Sequence, residues 1–360
     1  MAATLNNAFN LENISSCVHI SLTLNISPHL LYFIEGIFML FHPPKNPVEL
    51  KVLHLNKNQE KRREDLMEAT QGKAALKQLK KSMAKKAKKA LKNKAKSKSK
   101  AAQVFVLDFD GDLKATAVKH LREEISTLIS TANKGDEVIV RLESSGGLVH
   151  GYGLAAAQLV RLKEAGLKLT VCVDKVAASG GYMMACVADQ VIAAPFAVIG
   201  SIGVVSQLPN FHKWLKNHDV DYEMFTAGDY KRTVTVFGEN DEEDRAKYQE
   251  ELEQTHQLFK HFVNTYRPTL DLDKVATGEH WYGEDALALN LVDNLQTSDS
   301  YILELMDSSQ VYALHSRQKP TLAEKLGLAQ AAEATLNVAA DKLPEALMRF
   351  DFNSRLNILK

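Results

Sequence analysis

The sequence predicts an α/β domain with a parallel or mixed sheet and helices on its faces. The first observation behind this is an alternation. From residue 103 onward, apolar strand-like runs alternate with segments whose apolar residues recur at helical spacing. The second is the run from Val176 to Val205, which holds one charge, Asp189, together with several glycines and Pro195. These breakers suit a buried core better than a membrane span. The third is composition. With 45% hydrophobic and 24% charged residues, the 360-residue chain is globular, neither wholly disordered nor collagenous. Its length suits one large domain with appendages or two ordinary ones.

The elements follow in order. VFVLDFDG, from Val104, reads as a buried strand ending in a turn. Ala115–Thr131 is helical, with Val118, Leu121, Ile125 and Leu128 on one face. Glu137–Leu142 is a strand, and after a glycine turn an amphipathic helix runs from about Leu154 to Glu164. LKLTVCVD is the next strand, and QVIAA and FAVIGSIGVV are short ones. A short helix is expected at Phe211–Asn217, a strand at Asp221–Thr226 and a long amphipathic helix at Glu242–Tyr266. GEHWYGEDALALNLVDNL closes the pattern as a compact turn and helix. This places a core domain at 103–305 and a peripheral C-terminal tail at 306–360.

Ahead of the core the character differs. Residues 1–58 form an N-terminal segment with weak membrane-anchor character, centred on Leu30–Phe41, twelve residues that include Glu35. A bilayer core needs about 20 apolar residues in a helix, so this stretch is short of a span. No basic start and small-residue cleavage site mark a signal peptide. Residues 59–102 form a Lys-rich linker, helical in its first half and extended or transiently helical in its second. Residues 73–100 carry 13 Lys and no Asp or Glu, whereas residues 101–360 hold 25 Lys+Arg against 37 Asp+Glu. A cationic arm beside an acidic body suggests docking to an anionic surface. Its place after an anchor-like segment favours lipid over nucleic acid. The three cysteines, Cys17, Cys172 and Cys186, have no metal or redox spacing, and no metal or cofactor is expected.

Three short segments could carry chemistry. Ser144-Ser145-Gly146-Gly147 follows a strand and precedes a helix, so its glycines can expose main-chain N–H groups to a negative charge. A plain tight turn would read the same way. Ala177-Ala178-Ser179-Gly180-Gly181-Tyr182 puts a serine at a strand-to-helix junction among small neighbours, with Gly180 able to offer an N–H to an oxyanion. The competing reading is an N-cap serine. Gly228-Asp229-Tyr230-Lys231-Arg232 offers a lysine, a general base if a pocket desolvates it and otherwise a surface residue. The scattered histidines have no readable carboxylate partner, and Ser–Lys chemistry needs neither.

Taken in order, RLESSGGLVHGYGLAAAQL, VDKVAASGGYMMACVAD, GSIGVV, TAGDYKR and GEHWYG resemble the SohB-type bacterial serine peptidases. These are membrane-associated relatives of signal peptide peptidase A with a ClpP/crotonase-like fold. The resemblance covers roughly residues 103–300. It implies a repeated β-β-α core, Ser179 as nucleophile, Lys231 as general base, Gly146 and Gly180 as oxyanion-hole donors and Gly147 as support for the turn. Where relatives commonly carry Pro, this chain has Ser145, a change outside the backbone that acts. The family also usually opens with a clear transmembrane helix, for which Met1–Pro44 is a poor substitute. The resemblance further implies a homo-oligomer, with Lys231 able to act across subunits, and peptides or membrane-derived segments as substrates at the inner membrane. A carboxylate turned inward would oppose a neutral Lys231, so Asp229 is expected to face solvent. Two other classes compete. A crotonase-like acyl-CoA enzyme would share the paired amides but use carboxylates. A non-catalytic polybasic binding protein on a peptidase fold would need neither Ser179 nor Lys231.

Overall fold

The computed structural model describes residues 48–94, 102–228 and 230–318. The anchor-like Leu30–Phe41, the end of the Lys run, Asp229 and the tail from 319 lie outside them. All described residues except 48, 49 and 318 belong to the unit Leu50–Arg317.

Strand β1 (Val48–His54) leads directly into helix α1 (Leu55–Lys94). Helix α1 is broken at Gly72, whose φ of 80° and ψ of 172° are open to glycine alone. Lys80 Nζ lies 3.0 Å from Glu64 Oε2. A straight helix would hold residues sixteen apart at about 24 Å, so the arm after Gly72 turns back alongside the first. Strand β1 and the start of α1 thus lie within 1–58, and one expectation is corrected: the Lys-rich second half is helical through Lys94, where Ala and Leu between the lysines favour the helix.

The core follows as β2 (Gln103–Gly111), α2 (Val118–Thr131), β3 (Glu137–Ser144), α3 (Val149–Glu164), β4 (Lys168–Val173), β5 (Val176–Ala178), α4 (Gly180–Ala185), β6 (Gln190–Ala193) and β7 (Val198–Gly200). Then come α5 (His212–Lys216), α6 (Glu242–Tyr266), α7 (Leu272–Val275), β8 (His280–Tyr282), α8 (Gly283–Ala288), β9 (Asn294–Leu295), α9 (Ser298–Met306) and β10 (Gln310–Gln318). The main sheet runs β1-β10-β2-β3-β4-β6-β9. From β10 to β9 the neighbours on this path are parallel. A side ladder joins β3 to β5, β5 to β7 and, antiparallel, β7 to β8. Successive strand–strand–helix units, β4-β5-α4 and β6-β7 with α5, give the α/β arrangement with a repeated β-β-α core that the sequence suggests.

Both faces of the sheet are covered, which is why β3 and β4 are almost continuously buried. On one face Leu121, Ile125 and Leu128 of α2 and Ala155, Leu159 and Leu162 of α3 pack on Leu107, Val138, Val140 and Val171. On the other, Ile302 of α9 meets Val104, Ile139, Cys172, Ile192 and Val311. The run Val176–Val205 supplies β5, α4, β6 and β7 and is largely buried. Among the described residues no helix is long and apolar enough to cross a membrane.

Four further features differ from the sequence reading. Helix α3 starts at Val149, five residues early. The strand expected to reach Val205 stops at Gly200, and Asp221–Thr226 forms no strand, because among the described residues no neighbouring strand meets those exposed residues. Last, the chain does not become peripheral after 305. β10 lies within the sheet beside β2, with Val311 opposite Val104. Its apolar residues, Val311–Leu314, form a run of only four ending in polar residues, too short to stand out.

The end of β10 is held by α2. Glu124, 4% exposed, accepts the Ser316 N–H at 2.6 Å, and His120 Nδ1 lies 3.1 Å from Ser316 Oγ. Burial is the main cause that pushes the Glu124 pKa above its ordinary 4.5. The folded state then holds this proton more tightly than the unfolded chain. Stability from Glu124 is present at low pH and is lost as pH rises from about 4.5 through the raised value. Glu124→Gln keeps the acceptor and removes the charge. Thermal melts between pH 4 and 8 should show a flatter pH dependence for the variant; an unchanged slope would remove Glu124 from the pH response.

Candidate active site

The site forms where three chain turns meet. Parallel pairing of β3 with β5 sets Ser144 opposite Ala177, so the turn after β3 lies beside the turn after β5. Pairing of β5 with β7 sets Ala178 opposite Gly200, and the Ser179 N–H donates to the Gly200 carbonyl at 2.8 Å. The third turn follows β2, where the Leu113 carbonyl accepts the Leu148 N–H at 2.8 Å.

Ser179 is half-buried, with φ 52° and ψ −117°. A positive φ on serine costs on the order of 1–3 kcal/mol and persists only where the surroundings enforce it. Here the bond to Gly200 and the Met183 N–H donated to the Ser179 carbonyl at 2.9 Å do so. The side chain does not cap α4, so the N-cap reading fails. Its hydroxyl has no hydrogen-bond partner among the described residues. Neither has the Gly180 N–H, in the first turn of α4.

Glycines make this meeting possible. Gly146 has φ +91°, and a Cβ there would lie 2.8 Å from both the Gly180 nitrogen and Ser179 Cβ. A Cβ on Gly147 would run into the Leu113 carbonyl, one on Gly180 into the Tyr152 ring, and one on Gly181 would lie 2.5 Å from the Ser144 carbonyl oxygen. Gly146 is therefore packed on the nucleophile turn, and Gly147 holds the β2 turn against it. The Gly146 N–H, however, donates to Ser144 Oγ at 3.1 Å. Ser144 and Tyr152 are thus part of the site, and sequence reasoning gave them no role. Both stand inside the quoted motifs, but nothing local distinguishes a buried tyrosine that bonds a loop from one that only fills space.

Lys231 stands apart from this cluster. It is exposed and shares no hydrogen bond with Ser179 in the chain. With Leu208, Tyr222, Met224 and Phe237 it lines a separate cavity of about 680 Å³. Of the histidines, His256 Nε2 is 3.1 Å from the Ile202 carbonyl oxygen, and none among the described residues bonds Ser179. Cys172 and Cys186 are buried, and burial pushes both thiols up to about 12, so they remain protonated packing residues.

A free serine hydroxyl beside a free main-chain N–H, on an α/β scaffold, is the arrangement of a serine acyl-transfer site. Comparison with known proteins specifies the class further. The model of peptidase family S49 matches residues 161–312, and that of the family's N-terminal region matches 29–159. The Probable protease SohB of Haemophilus influenzae is 60% identical over 239 residues, covering 66% of this chain and 67% of that one. That of Buchnera aphidicola subsp. Acyrthosiphon pisum is 58% identical over 210 residues, 58% of this chain and 62% of its own. The matches thus span about two thirds of these relatives, or slightly less. Among solved structures, a membrane-bound stomatin-specific protease in complex with a substrate peptide overlays with a TM-score of 0.36 at 12% identity, over 63% of this chain and 97% of that one. So low a score adds nothing to the assignment. The chain belongs to peptidase family S49, and within it to the SohB type.

Gly146→Ala tests the close approach. It adds a Cβ against Ser179 and Gly180 and forces alanine to a positive φ, at a cost on the order of 1–3 kcal/mol. A lower melting temperature and loss of reaction with a fluorophosphonate are expected together; a variant as stable and reactive as the parent would contradict the packing.

Proposed function

We propose that the chain is a membrane-associated serine endopeptidase. Ser179 is the nucleophile, Lys231 the general base, and the main-chain N–H groups of Gly180 and Gly146 hold the oxyanion. The observation that carries this reading is Ser179 itself. Its hydroxyl is used by no helix end and no neighbour among the described residues, and it sits on a bend that serine adopts only at a cost. Membership of a peptidase family supports peptide-bond hydrolysis over acyl-CoA chemistry, and the presence of both Ser179 and Lys231 supports catalysis over a binding role alone.

The steps follow from these groups. Neutral Lys231 takes the Ser179 proton as Oγ bonds to the scissile carbonyl carbon. The carbonyl oxygen becomes an oxyanion facing the two N–H groups. The C–N bond breaks, and Lys231 returns the proton to the leaving amine. Water then releases the acyl group by the same exchange. A lysine serves as base only when it is neutral, which burial favours.

In the single chain Lys231 is exposed, so its burial must come from elsewhere. The stretch that carries it also exposes Val205 at 81%, Phe225 at 89%, Trp214 and Tyr230. Such apolar surface suits a contact between copies. In our reading a homo-oligomer buries Lys231 against Ser179 of a neighbouring copy. The substrates proposed are unfolded or membrane-derived peptides at the bacterial inner membrane, with Lys73–Lys100 resting on anionic lipid.

Ser179→Ala and Lys231→Arg should each abolish peptide hydrolysis while leaving the circular dichroism spectrum intact; substantial turnover in either removes that residue from the mechanism. Mixing inactive Ser179→Ala and Lys231→Ala chains before assembly should restore partial activity. Mixed oligomers with no rescue would put the dyad in one chain.

The lipid contact predicts about 1 kcal/mol per lysine held near an anionic surface. Deleting 73–100 should therefore weaken salt-sensitive binding to phosphatidylglycerol vesicles and spare peptide hydrolysis. Equal vesicle binding with and without the arm would reduce it to a linker.

A further inference from the structure

One side chain lies against one proposed oxyanion donor and is linked to the other through a single hydroxyl. Tyr152, in the first turn of α3, is fully buried. Its hydroxyl donates to the Asp112 carbonyl at 2.8 Å. That uses its single proton, so Ser144 Oγ, 2.6 Å away, is the donor toward it. Ser144 Oγ, its own proton committed, accepts the Gly146 N–H. The result is one directed chain, Gly146 to Ser144 to Tyr152 to Asp112. The ring of the same tyrosine lies against the Cα of Gly180. Phe109 meets that ring edge-on, with centroids 6.4 Å apart, and a Cβ on Gly111 would lie 2.5 Å from both hydroxyls. Glycine at 111 therefore leaves the room this relay occupies.

We infer that Tyr152 is a positioning residue for the oxyanion site: its ring sets Gly180, and its hydroxyl, acting through Ser144, sets Gly146. The inference rests on the reading that Ser179 is acylated and that these two amides receive the oxyanion. The Gly146–Ser144 bond is long and joins neutral groups. A bond to an oxyanion is charge-assisted and roughly twice as strong. A neutral substrate carbonyl therefore leaves the Gly146 N–H with Ser144, whereas the oxyanion draws it away. The second donor is engaged mainly as charge develops, which lowers the barrier without tightening substrate binding. The relay fixes where that N–H waits. Loss of the tyrosine hydroxyl should then act on kcat and leave KM alone.

The test is Tyr152→Phe in the full chain, which keeps the ring on Gly180 and frees Ser144 Oγ to rotate. Three readouts are taken: kcat and KM on a fluorogenic peptide cleaved by the parent, affinity for the matching peptide boronate as a tetrahedral mimic, and the rate of fluorophosphonate labelling at Ser179. The expected result is a fall in kcat of about tenfold or more, within the range for a lost oxyanion donor. KM should stay within about twofold, and boronate affinity and labelling rate should fall with kcat. Ser144→Ala should do the same, and the double variant should be no worse than the poorer single, because the two act in one chain. A merely structural tyrosine would lower the melting temperature and leave kcat and boronate affinity unchanged; that result overturns the inference. So does a rise in KM that accounts for the whole loss, or additive losses in the double variant. If the parent itself is not labelled at Ser179 and cleaves no peptide, the acylation reading fails first and takes this one with it.

Discussion

Backbone contacts that leave no room for a Cβ are the constraint on which the site depends. The turns after β2, β3 and β5 converge until main chain touches main chain at Gly146, Gly147 and Gly181, while Gly180 lies against the Tyr152 ring. A single methyl at 147 would meet the Leu113 carbonyl, and one at 180 the ring of Tyr152. Glycine loses more backbone freedom on folding than any other residue. Four of them in two short turns therefore cost stability, offset by the packed sheet beneath.

That sheet does more than provide bulk. Parallel pairing puts the C-terminal ends of β2 and β3 on one side, and the short side strand β5 branches from β3 at Ser144. The branch brings the serine turn next to the glycine turn, and β7 anchors the serine main chain from the far side through Gly200. The strained bend at Ser179 is thus held by backbone bonds alone, and its side chain stays free for chemistry. Specificity of placement comes from the ladder, and reactivity from the absence of neighbours.

Much of this was legible in the sequence, and the parts that were not share a cause. Helix α6 was readable to the residue because its apolar spacing is long and Asp241 begins it with a capping box completed by Asp244. The serine and glycine turns were readable because five motifs occur in a fixed order, whereas each turn alone reads equally as a tight turn or an N-cap serine. Ser144 and Tyr152 were not, because their importance lies in contacts across the fold, from 144 to 152 and from 152 to the Asp112 carbonyl. Strand β10 was missed for the same reason: its partner is β2, at the other end of the core. Asp221–Thr226, ahead of Lys231, was read as a strand, yet a strand needs a neighbour, and the described residues supply none.

The position of β10 bears on how the molecule is made. It inserts between β1 and β2, pairing Gln310 with Gln103, residues roughly two hundred positions apart and among the slowest kinds of contact to form. A chain emerging from the ribosome must complete nearly all of its core before that strand arrives. Until then β2 presents an open edge on the side opposite β3, a template for pairing with other strands. Synthesis that halts shortly before residue 310 would leave the serine turn encoded and β2 without its β10 neighbour.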